Sequence, residues 1–203
     1  MVQLRAATIQ DLSTTNKVFN PVTWQRTAEG KLLKLVQGDE TGPKALVVTK
    51  ATPLYLNITL DSVNLSEGAP RYTIYVERQA DEDRRNRSRK PYFATLNNKN
   101  DVFVVREANG APDNPTLKIE LADDGETIEV SKDKPFSRVA GYTVDLKYSL
   151  ENRPPWTGVR VGSSLSFGGE NYNVVAITKD EVVVLAKSNQ KKTPVPIPGE
   201  LLP

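Results

Sequence analysis

An all-β chain of two small antiparallel modules, sandwich-like or meandering, is what the sequence predicts. Three observations predict it. Apolar and polar residues alternate in run after run, as in 54–60 (LYLNITL), 71–79 (RYTIYVERQ) and 142–148 (YTVDLKY). A period of two is the signature of a half-buried strand. The runs are rich in Val, Ile, Thr and Tyr, which fit a pleated surface. Between them lie short stretches of Gly, Pro, Asn and Asp, whose backbone preferences make turns.

Residues 1–20 are polar and mixed in character, with Ile9 and Leu12 spaced for a short helix over 6–12. An isolated helix of that length does not hold without packing, so a short N-terminal helix, a tail or a linker is expected. The first β module is expected over 21–79, with strands at 31–37, 45–49, 54–60 and 71–79. Residues 80–91 (ADEDRRNRSRKP) carry Asp81, Glu82 and Asp83, then Arg84, Arg85, Arg87, Arg89 and Lys90. So charged a stretch is expected as a solvated loop or linker between modules.

The second module is expected over 92–203, with strands at 102–106, 117–121, 126–130 and 142–148. An offset of 70 matches Tyr72 to Tyr142, Ile58 to Ile128 and Leu60 to Val130. Two readings stand side by side: a degenerate duplication of 21–79 in 92–149, or two β meanders that align because both alternate. Pro154-Pro155 makes 150–157 (LENRPPWT) a stiff connector. Residues 172–177 (YNVVAI), the turn 178–181 (TKDE) and 182–185 (VVVL) read as a hairpin. Two prolines restrict 193–197 (TPVPI) to an edge strand or extended tail.

Composition narrows the chemistry. The chain has 203 residues, no His and no Cys, with 27 basic residues against 25 acidic and a formal net charge of +2. A balance so even gives no bulk attraction to nucleic acid or membrane. Without His or Cys there is no Ser-His-Asp or Cys-His triad and no zinc site of the usual kinds. The acidic turn 123–126 (DDGE) lacks the ligand ladder of a calcium loop and suits a hairpin turn instead. Phosphate-binding glycine motifs are absent. The start of the chain has no apolar core of a signal peptide, and no run approaches the about 20 apolar residues of a membrane span. No catalytic residue, cofactor or metal ligand is therefore expected. An oligonucleotide-binding reading would need exposed aromatics beside a basic groove, for which Tyr55, Tyr72, Tyr75 and Trp24 are the candidates.

Residues 158–195 carry a resemblance. Val161-Gly162, Leu165, the strand Val174 to Ile177, and the returning strand Glu181 to Leu185 resemble the periplasmic β domain of the PilP-like type IV pilus proteins and of the related inner-membrane subunit of type II secretion systems. Residues 90–156 are similar to a pilus-like system protein of mucin-degrading Verrucomicrobia. The resemblance implies a non-catalytic link between an inner-membrane platform and an outer-membrane secretin, in the periplasm or cell envelope. PilP proteins are anchored through a Cys that this chain lacks.

The expected function is thus a structural, protein-binding component of a pilus-like or secretion-like envelope assembly. Its partners would be secretin or platform subunits or further copies of itself, with no nucleic acid. The alternatives are a secreted or surface-exposed β-sandwich that binds a host or matrix ligand, and a single-stranded nucleic-acid binder. Candidate interface residues are Trp156, Val174, Val175, Ile177, Val182 and Val184, each with core packing as the competing reading. Contact is expected by strand addition or side-to-side packing.

Overall fold

In the computed structural model the described residues are 42–65 and 68–201, with the short strands β1 (Trp24–Arg26) and β2 (Leu32–Lys34) ahead of them. The chain is all-β, and every ladder between strands is antiparallel. The strands that follow are β3 (Leu46–Asn64), β4 (Arg71–Arg78), β5 (Lys90–Ala94), β6 (Phe103–Ala111), β7 (Asn114–Leu121), β8 (Thr127–Val130), β9 (Phe136–Tyr148) and β10 (Trp156–Val159). They end with β11 (Ser164–Phe167), β12 (Glu170–Ile177), β13 (Glu181–Ala186) and β14 (Lys192–Pro196). Besides the β1-β2 pair there are, among the described residues, three sheets, in the orders β10-β9-β3-β4-β5, β11-β12-β13-β14 and β6-β7-β8.

The β3–β9 ladder organises the molecule. It runs from Leu46↔Tyr148 to Ile58↔Phe136. Along β3 the buried side chains are Leu46, Val48 and Ala51, then Leu54, Leu56, Ile58 and Leu60. A register shift between Val48 and Lys50 marks a bulge at Thr49, which keeps Val48 and Ala51 on one face. The next shift, between Leu54 and Tyr55, is taken up by the extra residue Ala140 in β9 and leaves the phase of β3 unchanged. Ala51 and Leu54 are three apart in β3, so they face opposite ways. The same sheet therefore buries one face at one end and the other face at the other end.

Two hydrophobic cores follow from that switch. The first packs the four-stranded sheet on Leu46, Val48 and Ala51 of β3 and on Val144, Leu146 and Tyr148 of β9. At its centre Phe167 stacks on Tyr172, with ring centroids 4.2 Å apart, and also meets Tyr148 at 4.8 Å. The second core packs the three-stranded sheet on Leu56, Ile58 and Leu60 of β3 and on Tyr72, Ile74 and Val76 of β4.

Several expectations from the sequence are corrected here. Residues 80–91 do not join two modules: 80–89 lie in the connection from β4 to β5, and Lys90 and Pro91 already pair with β4 in the same sheet. The division between cores instead cuts across β3 and β9, so among the described residues the expected modules 21–79 and 92–203 share one sheet and are not separate. The duplication fails on pairing. β3 and β4 pair directly, whereas β8 and β9, their matches at an offset of 70, lie in different sheets. The separate strands expected at 45–49 and 54–60 are one strand that passes through Pro53. That position has β9 on one side only, because β4 pairs with β3 from Leu56 onward, so the missing N–H breaks no ladder on the β4 side. The short helix expected over 6–12 lies outside the described residues.

Where the cores meet, β9 and the β4–β5 loop approach closely. A Cβ on Gly141 would sit 3.2 Å from the Ala80 Cβ, tighter than ordinary contact. Gly141→Val is expected to overpack this junction and cost about 1–3 kcal/mol. In denaturant titrations Ala80→Gly should restore part of that loss; purely additive effects of the two changes would contradict the contact.

Burial pushes the Tyr172 phenol above its ordinary 10.0, with Glu170 and Tyr148 adding in the same direction. The folded chain therefore holds this proton to higher pH than the unfolded chain does. Its contribution to stability is full below the ordinary value and is lost as pH rises through the raised one. Tyr72 and Tyr92 are raised by burial as well. The denaturation midpoint is expected to fall above pH 10.0 and to fall less steeply in Tyr172→Phe. Identical alkaline slopes would contradict it.

Candidate functional site: the outward face of the hairpin sheet

The hairpin of β12 and β13 is apolar on both faces. Its inner face gives Tyr172, Val174, Ile177, Val182, Val184 and Ala186 to the first core. A register shift between Val174 and Ala176 makes Val175 a bulge, which is why Val174 and Ile177, three apart, both point inward. The outer face carries Ala176, paired with Val183, and Leu185, paired with Asn173. Pro194 lies beside Val183 on β14. Val175, Ala176, Val183 and Leu185 are half-buried and Pro194 is exposed. Ser164, Ser166, Asn173, Glu181 and Lys192 frame this strip with polar groups.

A run such as VVVL is typical of a strand covered on both faces. Among the described residues only one face of this sheet is covered, by β3, β9 and β10. An apolar strip with a polar rim is the anatomy of a protein-docking surface.

The six residues singled out in the sequence divide accordingly. Val174, Val182 and Val184 are at most 1% exposed, and Ile177 is 9% exposed, so these four side chains are used in the chain's own core. Val175 stays half-exposed at the bulge. Trp156 opens β10, pairs with Leu146 and packs its ring on Phe167 at 5.9 Å, while the Arg153 guanidinium lies 4.1 Å over it. Strand addition to the hairpin is closed as well, since β12 and β13 both have neighbours on each side. The sheet's edges are β11 and β14, and Pro194 and Pro196 blunt the latter. The signal for the outward residues was in the sequence, in Val183 and Leu185, but a continuous apolar run does not say which residues face out.

A second open face lies on the five-stranded sheet. Tyr55, Tyr75 and Phe93 share it, by the pairings Thr59↔Tyr75 and Thr73↔Phe93. Phe93 is 76% exposed, and the Arg89 guanidinium sits 4.1 Å over Tyr75. Tyr72 points the other way into the second core at 3% exposure, and the side chain of Trp24 lies outside the described residues. Acid occupies the middle of this face: Glu77 accepts hydrogen bonds from Asn57 Nδ2 at 2.9 Å and Gln79 Nε2 at 3.2 Å. A carboxylate there opposes a phosphate backbone.

The acidic turn before β8 is tied to β9. Asp124 accepts from the Glu126 N–H at 3.1 Å and from Arg138 Nη1 at 2.7 Å, and these bonds hold its carboxyl below the usual range. Arg138 also pairs with Glu126. Among the described residues no group of three or more His, Cys, Asp or Glu is arranged to hold a metal ion. Comparison with known proteins finds no matching family model, no similar curated protein and no similar solved structure.

Proposed function

We propose that this chain is a non-catalytic, protein-binding subunit of an envelope assembly of the type IV pilus or type II secretion kind. It docks a partner on the outward face of the four-stranded sheet. The observation that carries this reading is the hairpin's apolar character on both faces, with one face left uncovered at Val183 and Leu185 among the described residues. The resemblance of residues 158–195 to the PilP-like β domain supports the kind of assembly, with a secretin or platform subunit as partner. Binding is by sheet-face packing, because the hairpin strands offer no free edge.

A pull-down from envelope extract tests it, with the purified chain and its Val183→Asp variant as baits. The reading predicts recovery of a secretin or platform subunit by the parent chain and its loss in the folded variant. Equal recovery by both baits would contradict the docking face. A surface module for a host or matrix ligand is the second reading, favoured by the exposure of Phe93 beside Tyr75. It predicts that Phe93→Ala, rather than Val183→Asp, abolishes capture.

A further inference from the structure

We propose that the cleft between the β4–β5 loop and the β10–β11 connection binds a small carboxylate. Arg87 enters it from the first segment and Arg160 from the second, and Leu54, Tyr142 and Ile177 form an apolar wall. The cavity measures about 140 Å³.

Neither guanidinium meets an acid. Arg87 donates through Nε to the Asp81 carbonyl at 2.7 Å and through Nη2 to the Glu82 carbonyl at 2.8 Å. Arg160 donates through Nη1 to the Gln79 carbonyl at 2.8 Å. No ion pair involves either arginine among the described residues. Asp81 and Glu82 also line the cleft; Asp81 is engaged at both carboxylate oxygens, by Arg78 at 2.5 Å and by the Asp83 N–H at 2.9 Å, and Glu82 is an exposed residue that meets Arg87 through its carbonyl. Burial first, and the Arg87 charge second, work against the charge on Arg160. Two cations gathered in one cleft, with only carbonyl partners, call for an anion, and most of their N–H donors remain free for it.

The shape selects the anion. A planar guanidinium fork matches a carboxylate bidentately. The apolar wall suits a short hydrocarbon tail, and the cavity falls well below the roughly 300 Å³ at which pockets for larger organic ligands begin. This site is independent of the docking face. The carboxylate could belong to a free short-chain acid or to a polypeptide C-terminus, which present the same chemistry.

Titration of the labelled chain, read by NMR at the arginine Nε–Hε resonances, tests this. The probes are sodium butyrate, N-acetylvaline, N-acetylvalinamide and sodium chloride at matched ionic strength. Butyrate or N-acetylvaline is expected to shift the Arg87 and Arg160 signals saturably, while N-acetylvalinamide does not. The tighter of the two acids identifies the source. Arg160→Gln and Arg87→Gln should each weaken binding about tenfold or more, with folding confirmed in the same spectra, and Arg84→Gln in the same loop should leave it unchanged. Shifts that fail to saturate, that chloride reproduces, or that Arg84→Gln removes equally would overturn the proposal.

Discussion

Ile58→Ala is expected to lower the stability of the whole molecule by about 2–5 kcal/mol, and the loss should be visible at Trp156, which packs against the other core. Ile58 is 0% exposed at the centre of the second core. It sits on β3 opposite Phe136 of β9, and the same two strands continue into the first core as Leu46↔Tyr148. Freeing one end of the ladder removes the support on which the four-stranded sheet packs, so the cores should unfold together. The chain has two tryptophans, and in a Trp24→Phe background the fluorescence belongs to Trp156 alone. A denaturant midpoint at Trp156 that moves with the far-ultraviolet circular dichroism is the expected result. A Trp156 midpoint unchanged by Ile58→Ala would mean that the two ends are energetically separate.

The second large effect is a contrast between adjacent residues. Val184→Asp should prevent folding, because Val184 is 0% exposed and an unpaired carboxylate in the first core costs several kcal/mol. Val183→Asp, one residue earlier, places its charge on the open face beside Ala176 and Pro194. It should fold with a native-like spectrum and lose partner capture. The pair reads out the register of β13 directly, since a slip of one residue would exchange the two phenotypes. If both variants fold, or if both fail, this register is wrong.

The elements legible in the sequence were those specified by local pattern. The hairpin is one: its turn closes with Thr178 N–H donating to the Glu181 carbonyl at 2.9 Å, while Thr178 Oγ1 accepts from the Glu181 N–H at 3.1 Å. The alternation at 54–60 is another, with all four even residues buried. What local pattern hid was long-range. β3 pairs with β9 across separations of 78 (136 − 58) to 102 (148 − 46) residues, and nothing in 54–60 names 136–148 as its partner. Pro53 and residues 136–141 (FSRVAG) fall outside the strands expected at 54–60 and 142–148, yet they lie within β3 and β9, where few of their side chains are covered. Residues 107–115 (EANGAPDNP) have the Gly and Pro content of a loop, yet they form the end of the β6–β7 hairpin, exposed at 109–114, where Gly110 takes a φ of 98°.

The candidate site was legible in place but not in orientation. Val174, Ile177, Val182 and Val184, singled out in the sequence, lie on the inner face of this hairpin, in the first core. The bulge at Val175 decides which side chains turn outward, and a bulge leaves no mark in an apolar run. Arg160 had no signal at all, because its partnership with Arg87 exists only through the packing of the β4–β5 loop against the β10–β11 connection.

Site-specific photo-cross-linking in cells tests the central claim most directly. A benzophenone amino acid is placed at Val183 in one strain and at Phe93 in another, and adducts are identified by mass spectrometry. The account predicts an adduct with a secretin or platform subunit from position 183 and none from position 93. An adduct from position 93 alone, or none from position 183, would contradict it.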